Sequence, residues 1–213
     1  PGVIAALSLV VAYAGGIYAI QATSVANALL LFAAAPFFAA VLGWCILGER
    51  VLIGTWIAIS FAILGIGIMV GGQSFGGSLD GSLAALGSAL GFAAFTVTLR
   101  WGKNVEMLPS VFLSGVFGVV ITAAICISVD LPLAISARDS GISIGMGVFQ
   151  VGAGLVLYTL GSRSLPAVEL TLLSLAEVLL APVWVWLFLG ETATSHTLAG
   201  GCVLLGAIAG NAI

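Results

Sequence analysis

Residues 23–50 read TSVANALLLFAAAPFFAAVLGWCILGER, and residues 165–191 read LPAVELTLLSLAEVLLAPVWVWLFLGE. Each stretch is a long apolar run that closes on W-x-x-L-G-E, Trp44 to Glu49 in the first and Trp186 to Glu191 in the second, at an offset of 142 residues. The same offset pairs Leu30 and Leu31 with Leu172 and Leu173, Ala34 with Ala176, Val41 with Val183 and Thr55 with Thr197. Apolar matches alone carry little weight, because membrane helices share letters. Trp, Gly and Glu at identical spacing mark an internal repeat.

Working outward, the composition names the solvent. Of 213 residues, 62% are hydrophobic and 6% are charged, and 29 are Gly. A soluble domain carries about 25% charged residues to build its polar skin. Eight acids, five bases and one His cannot supply one. The composition excludes a soluble globular domain, a disordered chain and a nucleic-acid binder, and leaves a polytopic membrane protein. Cys45, Cys126 and Cys202 stand far apart in apolar stretches and share no metal-ligand spacing, so they read as small hydrophobes. No metal and no cofactor is expected.

Residues 1–48 contain no ionisable side chain. That is too long for one span of about 20 residues, so two are expected, divided near Gln21–Ser24. Further apolar segments fall at roughly 53–71, 81–100, 108–129, 141–162, 165–189 and 194–213, giving eight membrane helices. Gly48 and Gly190 read as helix-stopping residues, and Pro109 and Pro166 as first-turn prolines. Arg50, Arg100, Lys103 and Arg163 follow the second, fourth and sixth helices, on one side. Arg138 is the lone base opposite. Basic residues favour the cytoplasm, which places both ends of this chain inside. The second and seventh helices then run in opposite directions, so the repeats are inverted across the membrane. Inverted repeats are the architecture of alternating-access carriers.

These segments, together with GTWIAISFAILGIGIMV at residues 54–70, resemble an EamA-type member of the drug/metabolite transporter superfamily. The resemblance covers nearly the whole chain, and the two LGE-ended helices are its most specific feature. It implies an all-α membrane fold of ten helices in two inverted five-helix repeats. On that template the first two helices precede this sequence. Residues 1–71 hold the last three helices of the first repeat, residues 72–79 a connecting loop, and residues 80–213 the complete second repeat. The resemblance also implies a multi-pass carrier of the plasma (inner) membrane for small organic metabolites or drugs.

Glu177 is the sharpest candidate site residue. It lies eleven residues after Pro166, and a helix rises about 1.5 Å per residue, which puts it near the bilayer midplane. A carboxylate there is costly and ordinarily faces a cavity or a partner. Ser174, Ala181 and Trp184 share its helical face. Glu169, in the first turn after Pro166, matches Asn27 at the repeat offset, so both halves place a polar residue at that level. Gln150 and Tyr13 fall midway along their helices and line a cavity or bridge helices; Tyr158 is a weaker candidate at a shallower level. Pro36 and Pro182 lie inside spans, where a missing N–H bends a helix. The Gly-xxx-Gly pairs 67/71, 87/91, 141/145 and 206/210 are expected at close helix approaches, and Trp56 and Trp101 at the membrane interface.

An enzyme fails on inventory, because His196 is the lone His and sits at a membrane edge. No nucleotide-binding Gly loop with Lys is present, so an ion or solute gradient must drive transport. Glu177 is then the residue to exchange a proton. With few fixed charges at the centre, the substrate is expected to be neutral, zwitterionic or weakly cationic. A channel and a non-transporting membrane scaffold are the alternatives.

Overall fold

The first apolar run divides at its most polar point. In the computed structural model, which describes residues 1–48, 52–71, 78–102, 104–128, 130, 136–161, 184, 186–188, 190 and 194–212, helix α1 (Gly2–Ala22) ends at an extended Thr23. Helix α2 (Val25–Phe32) starts on Ser24, whose side-chain oxygen accepts the Asn27 N–H at 3.2 Å. A capping hydroxyl of this kind satisfies one of the N–H groups that a helix start leaves unpaired. Then follow α3 (Ala35–Leu47), α4 (Ile53–Gly71), α5 (Leu79–Trp101) and α6 (Leu108–Ser128). Next, α7 (Ala137–Gly145) passes through a π-helical segment (Met146–Gly152) into α8 (Ala153–Gly161), and α9 is Ser195–Ala212.

Every regular element among the described residues is helical. Gly2–Ala22, Val25–Leu47, Leu79–Trp101, Leu108–Ser128 and Ala137–Gly161 are each long and apolar enough to cross a bilayer. The chain is a multi-pass helical membrane protein. The expected helix at 165–189 lies largely outside the described residues, of which Trp184 and Trp186–Phe188 are helical.

One boundary moves from its expected place. The sixth span begins at Ala137 rather than near residue 141, because Ser136 caps it. The Ser136 hydroxyl accepts the Asp139 N–H at 3.1 Å and donates to Asp139 Oδ2 at 2.7 Å. Hydropathy stops at the charged first turn, whereas cap chemistry includes it.

The second span is interrupted. Ala33 and Ala34 form a tight turn, their N–H groups bonding to Leu30 and Leu31 carbonyls at 3.1 and 3.0 Å, three residues back. Pro36 then sits in the first turn of α3, where its missing N–H leaves no internal bond unmade.

Helix α5 is the centre of the described fold and packs on α1, α2 and α3. Its antiparallel crossing with α1 is backbone on backbone. A Cβ on Gly91 would meet the Ala12 nitrogen and Ser8 oxygen, both at 2.8 Å, and one on Gly15 would meet the Ala84 oxygen at 2.9 Å. Between these points the Ser88 hydroxyl donates to the Ala12 carbonyl at 2.7 Å. Helices in lipid associate through close packing and hydrogen bonds of this sort rather than through hydrophobic burial.

The expected Gly-xxx-Gly contacts are corrected here. Gly91 makes a close approach, but Gly67, Gly87, Gly141, Gly145, Gly206 and Gly210 have nothing within 4 Å of an added Cβ. Spacing puts two glycines on one face without choosing which face meets a neighbour. On α4 the buried stripe is Ala58, Ala62 and then Gly65, at helical spacing, and Gly67 lies off it. That stripe packs with Leu204 and Ala207 of α9 and Phe37 of α3.

Gly48 and Gly190, matched by the repeat offset, both adopt φ +66°, the left-handed conformation that ends a helix and suits a residue without Cβ. Trp44 and Trp56 meet edge to face across the α3–α4 turn at 5.4 Å. Trp101 closes α5 beside Arg100, half exposed. Aromatic rings with a basic neighbour suit the membrane–water boundary.

Candidate functional site

Two polar groups sit at opposite ends of the α1–α5 pair. At the end where α1 finishes and α5 starts, Asn27 is buried in α2. Its side-chain amide donates to Ser82 Oγ of α5 at 3.0 Å and to Thr23 Oγ1 at 3.3 Å. Beside it Ser78, the N-cap of α5, donates its hydroxyl to the Ala22 carbonyl at 2.7 Å, tying the start of α5 to the end of α1. The two hydrogen bonds of the Asn27 amide are buried and made without competition from water, whereas the Ser78 bond is exposed. Asn27→Leu is expected to lower the melting temperature of the purified protein, reflecting about 1–3 kcal/mol for the two buried hydrogen bonds it removes. An unchanged melting temperature would contradict this role.

The opposite half holds an aromatic and hydroxyl cluster. Ala5 and Leu9 of α1, Phe95 and Leu99 of α5, and Met107 form a buried floor on which Tyr13, Phe92 and Tyr158 pack. The Tyr158 hydroxyl of α8 lies 3.2 Å from Thr96 Oγ1, in hydrogen-bond contact. Its ring lies 5.4 Å from Phe92 and 6.4 Å from Phe95. Tyr13 faces the Ser114 side chain of α6, whose hydroxyl donates to the Val111 carbonyl at 2.7 Å. Four helices thus contribute hydroxyls and ring faces to one region, and none of these side chains is charged. Such a surface can bind a small solute by neutral hydrogen bonds and by stacking, and aromatic faces also attract cations.

Of the residues singled out from sequence, Tyr13 and Tyr158 converge on this cluster. Asn27 does not; it belongs to the group at the other end. Gln150 lies in the π-helical segment with its side chain exposed. Trp184 is exposed and stacks on Phe188 at 5.6 Å. Glu169, Ser174, Glu177 and Pro182 lie outside the described residues. Sequence reasoning missed Thr96, Ser114 and Ser82. For Ser82 and Thr96 the signal was a stripe of small and hydroxyl residues down α5, Ser82, Ala85, Ser88, Ala89 and Thr96, all buried; Ser114 lies on α6, outside that stripe.

Comparison with known proteins agrees with this architecture. Residues 2–71 and 79–213 match the EamA-like transporter family. The chain is 26% identical to "Solute carrier family 35 member G1" of Homo sapiens, over 100% of this chain and 60% of that protein. It is 26% identical to "Uncharacterized transporter YwfM" of Bacillus subtilis, over 88% of this chain and 64% of that protein. An uncharacterized transporter of Archaeoglobus fulgidus is 28% identical over 90% of this chain and 68% of its own length. The chain therefore spans about three fifths to two thirds of the length of these relatives. A solved crystal structure superimposes with a TM-score of 0.58 at 17% identity, covering 99% of this chain and 86% of that one, and so shares its fold. The match runs through both LGE-ended segments and the helices around them, and the chain belongs to the EamA-like transporter family.

Proposed function

We propose that this chain forms the larger part of a secondary transporter that moves small organic solutes across the plasma membrane by alternating access. The observation that carries the reading is the uncharged hydroxyl and aromatic cluster shared by α1, α5, α6 and α8. Hydroxyls and ring faces from four helices in one region suit a solute-binding surface, and an enzyme would need nucleophiles and bases there. The relatives that carry descriptive names are a solute carrier and transporters.

The repeat supports the alternating-access part. Helices α4 and α9 correspond at the repeat offset, Thr55 with Thr197, and they pack directly on each other. A Cβ on Gly65 would meet the Gly200 oxygen at 2.7 Å. A pseudo-twofold axis between inverted repeats puts equivalent helices side by side in this way. The two left-handed glycines Gly48 and Gly190 end corresponding helices.

Among the described residues the cluster carries no charge, which supports neutral, zwitterionic or weakly cationic solutes as the substrate class, with sugar nucleotides and organic phosphates disfavoured. Uptake of radiolabelled solutes into proteoliposomes holding the full-length protein tests this across classes. The reading predicts saturable uptake within the favoured classes, and Tyr158→Phe is expected to raise KM severalfold for a hydroxylated substrate, by about 1 kcal/mol of lost hydrogen bonding. Preference for a polyanion would refute it.

A further inference from the structure

The span Ala137–Gly161 is not one α-helix. Met146–Gly152 is π-helical, and the Ala153 N–H bonds to the Val148 carbonyl, five residues back. A turn of this kind holds about one residue more than an α-turn, and single π-turns recur at functional sites. Gly152 makes it sterically feasible: a Cβ there would lie 2.9 Å from the Gly147 oxygen. Glycines at 145, 147, 152 and 154 surround the turn and weaken the preference for a regular helix.

The turn separates two unlike halves. α7 and the π-helical segment contain no buried residue. Beyond the turn, Leu155 and Tyr158, three residues apart on one face of α8, pack on the cluster floor. Each α-helical residue adds about 100° of rotation, so closing the turn without removing a residue swings that face off the cluster.

We propose that Gly152 is a positioning residue: the wide turn it permits sets the register of α8 that delivers Tyr158 to Thr96, and closing that turn withdraws Tyr158 and opens the cluster. The last step rests on the reading of the cluster as part of the transport path; the register claim does not.

Thiol cross-linking in membranes, with a bifunctional methanethiosulfonate reagent long enough to replace the reach of the tyrosine ring, tests it, using the full-length protein with Thr96→Cys and Tyr158→Cys and with Cys45, Cys126 and Cys202 changed to Ser. Gly152→Ala is expected to lower cross-linking about tenfold, because its Cβ forces the turn to close and rotates α8. Deleting Gly147 in the same chain should restore cross-linking, since the shorter turn is α-helical with α8 back in register. Gly154→Ala, whose Cβ would meet nothing, should leave it unchanged. Undiminished cross-linking in a folded Gly152→Ala protein overturns the proposal, as does a loss that the Gly147 deletion fails to restore. Should Gly152→Ala not fold, the Gly147 deletion alone decides: retained cross-linking supports the register argument, and loss overturns it. If cross-linking behaves as expected while Gly152→Ala leaves substrate KM and exchange rate unchanged, the register claim stands and the cluster's place on the transport path falls.

Discussion

Gly91→Leu is expected to eliminate folded protein. The Cβ alone would lie 2.8 Å from two backbone atoms of α1, and backbone cannot move aside as a flexible side chain can. Overpacking a core ordinarily costs about 1–3 kcal/mol, and a whole leucine against a helix backbone exceeds that range. The helices would have to separate, breaking the Ser88–Ala12 hydrogen bond that spans the crossing. Gly87, one turn earlier on α5, faces open space, so Gly87→Leu is expected to leave the fold intact. Size-exclusion profiles of detergent-solubilised protein separate the two. A monodisperse Gly91→Leu protein matching the parent in yield would contradict the α1–α5 crossing described above.

The second large effect concerns coupling. Glu177→Gln is expected to abolish accumulation driven by a pH gradient while sparing part of solute exchange. We propose Glu177, which lies outside the described residues, as the exchanging group: eleven residues after Pro166 in sequence, it is expected near the bilayer midplane, where it is the candidate that can titrate. Protonated, its side chain is neutral and can pass through an occluded apolar state. Ionised, it can hold a cationic group of the substrate. Competition between proton and substrate for one carboxyl yields antiport by mass action, each form favouring a different part of the cycle. Glutamine keeps shape and hydrogen bonding but cannot exchange a proton. Unchanged gradient-driven uptake by a well-folded Gln variant of the full-length protein would remove Glu177 from the mechanism and favour facilitated diffusion.

How much of this was legible in the sequence differs by level. Spans were readable because a bilayer demands about 20 apolar residues, and charges are too few to confuse the count. The helix-ending roles of Gly48 and Gly190 were readable because glycine before a terminal Glu has a local conformational cause, and both adopt positive φ. Pairing was not. Gly-xxx-Gly spacing selected Gly67, Gly87, Gly91 and Gly206; of these Gly91 makes a close contact, while Gly15 and Gly65 make theirs outside any such pair, because a helix's neighbour is decided by its whole face and not by one motif. The site was half legible. Tyr13 and Tyr158 stand out as polar rings inside apolar helices, whereas Thr96 and Ser114 look like ordinary small residues until four helices bring them together. The π-turn was invisible to periodicity, since one wide turn shifts the phase of a helix without changing its letters.

The central claim is that this chain belongs to a carrier with a saturable site exposed alternately to each side. Counterflow measures that claim most directly. Proteoliposomes holding the full-length protein are loaded with excess unlabelled substrate and diluted into trace label. The account predicts a transient overshoot of internal label above equilibrium, saturable in external solute and diminished by Tyr158→Phe. Label that equilibrates without overshoot would contradict it and indicate a channel, and no flux of any solute class would indicate a scaffold.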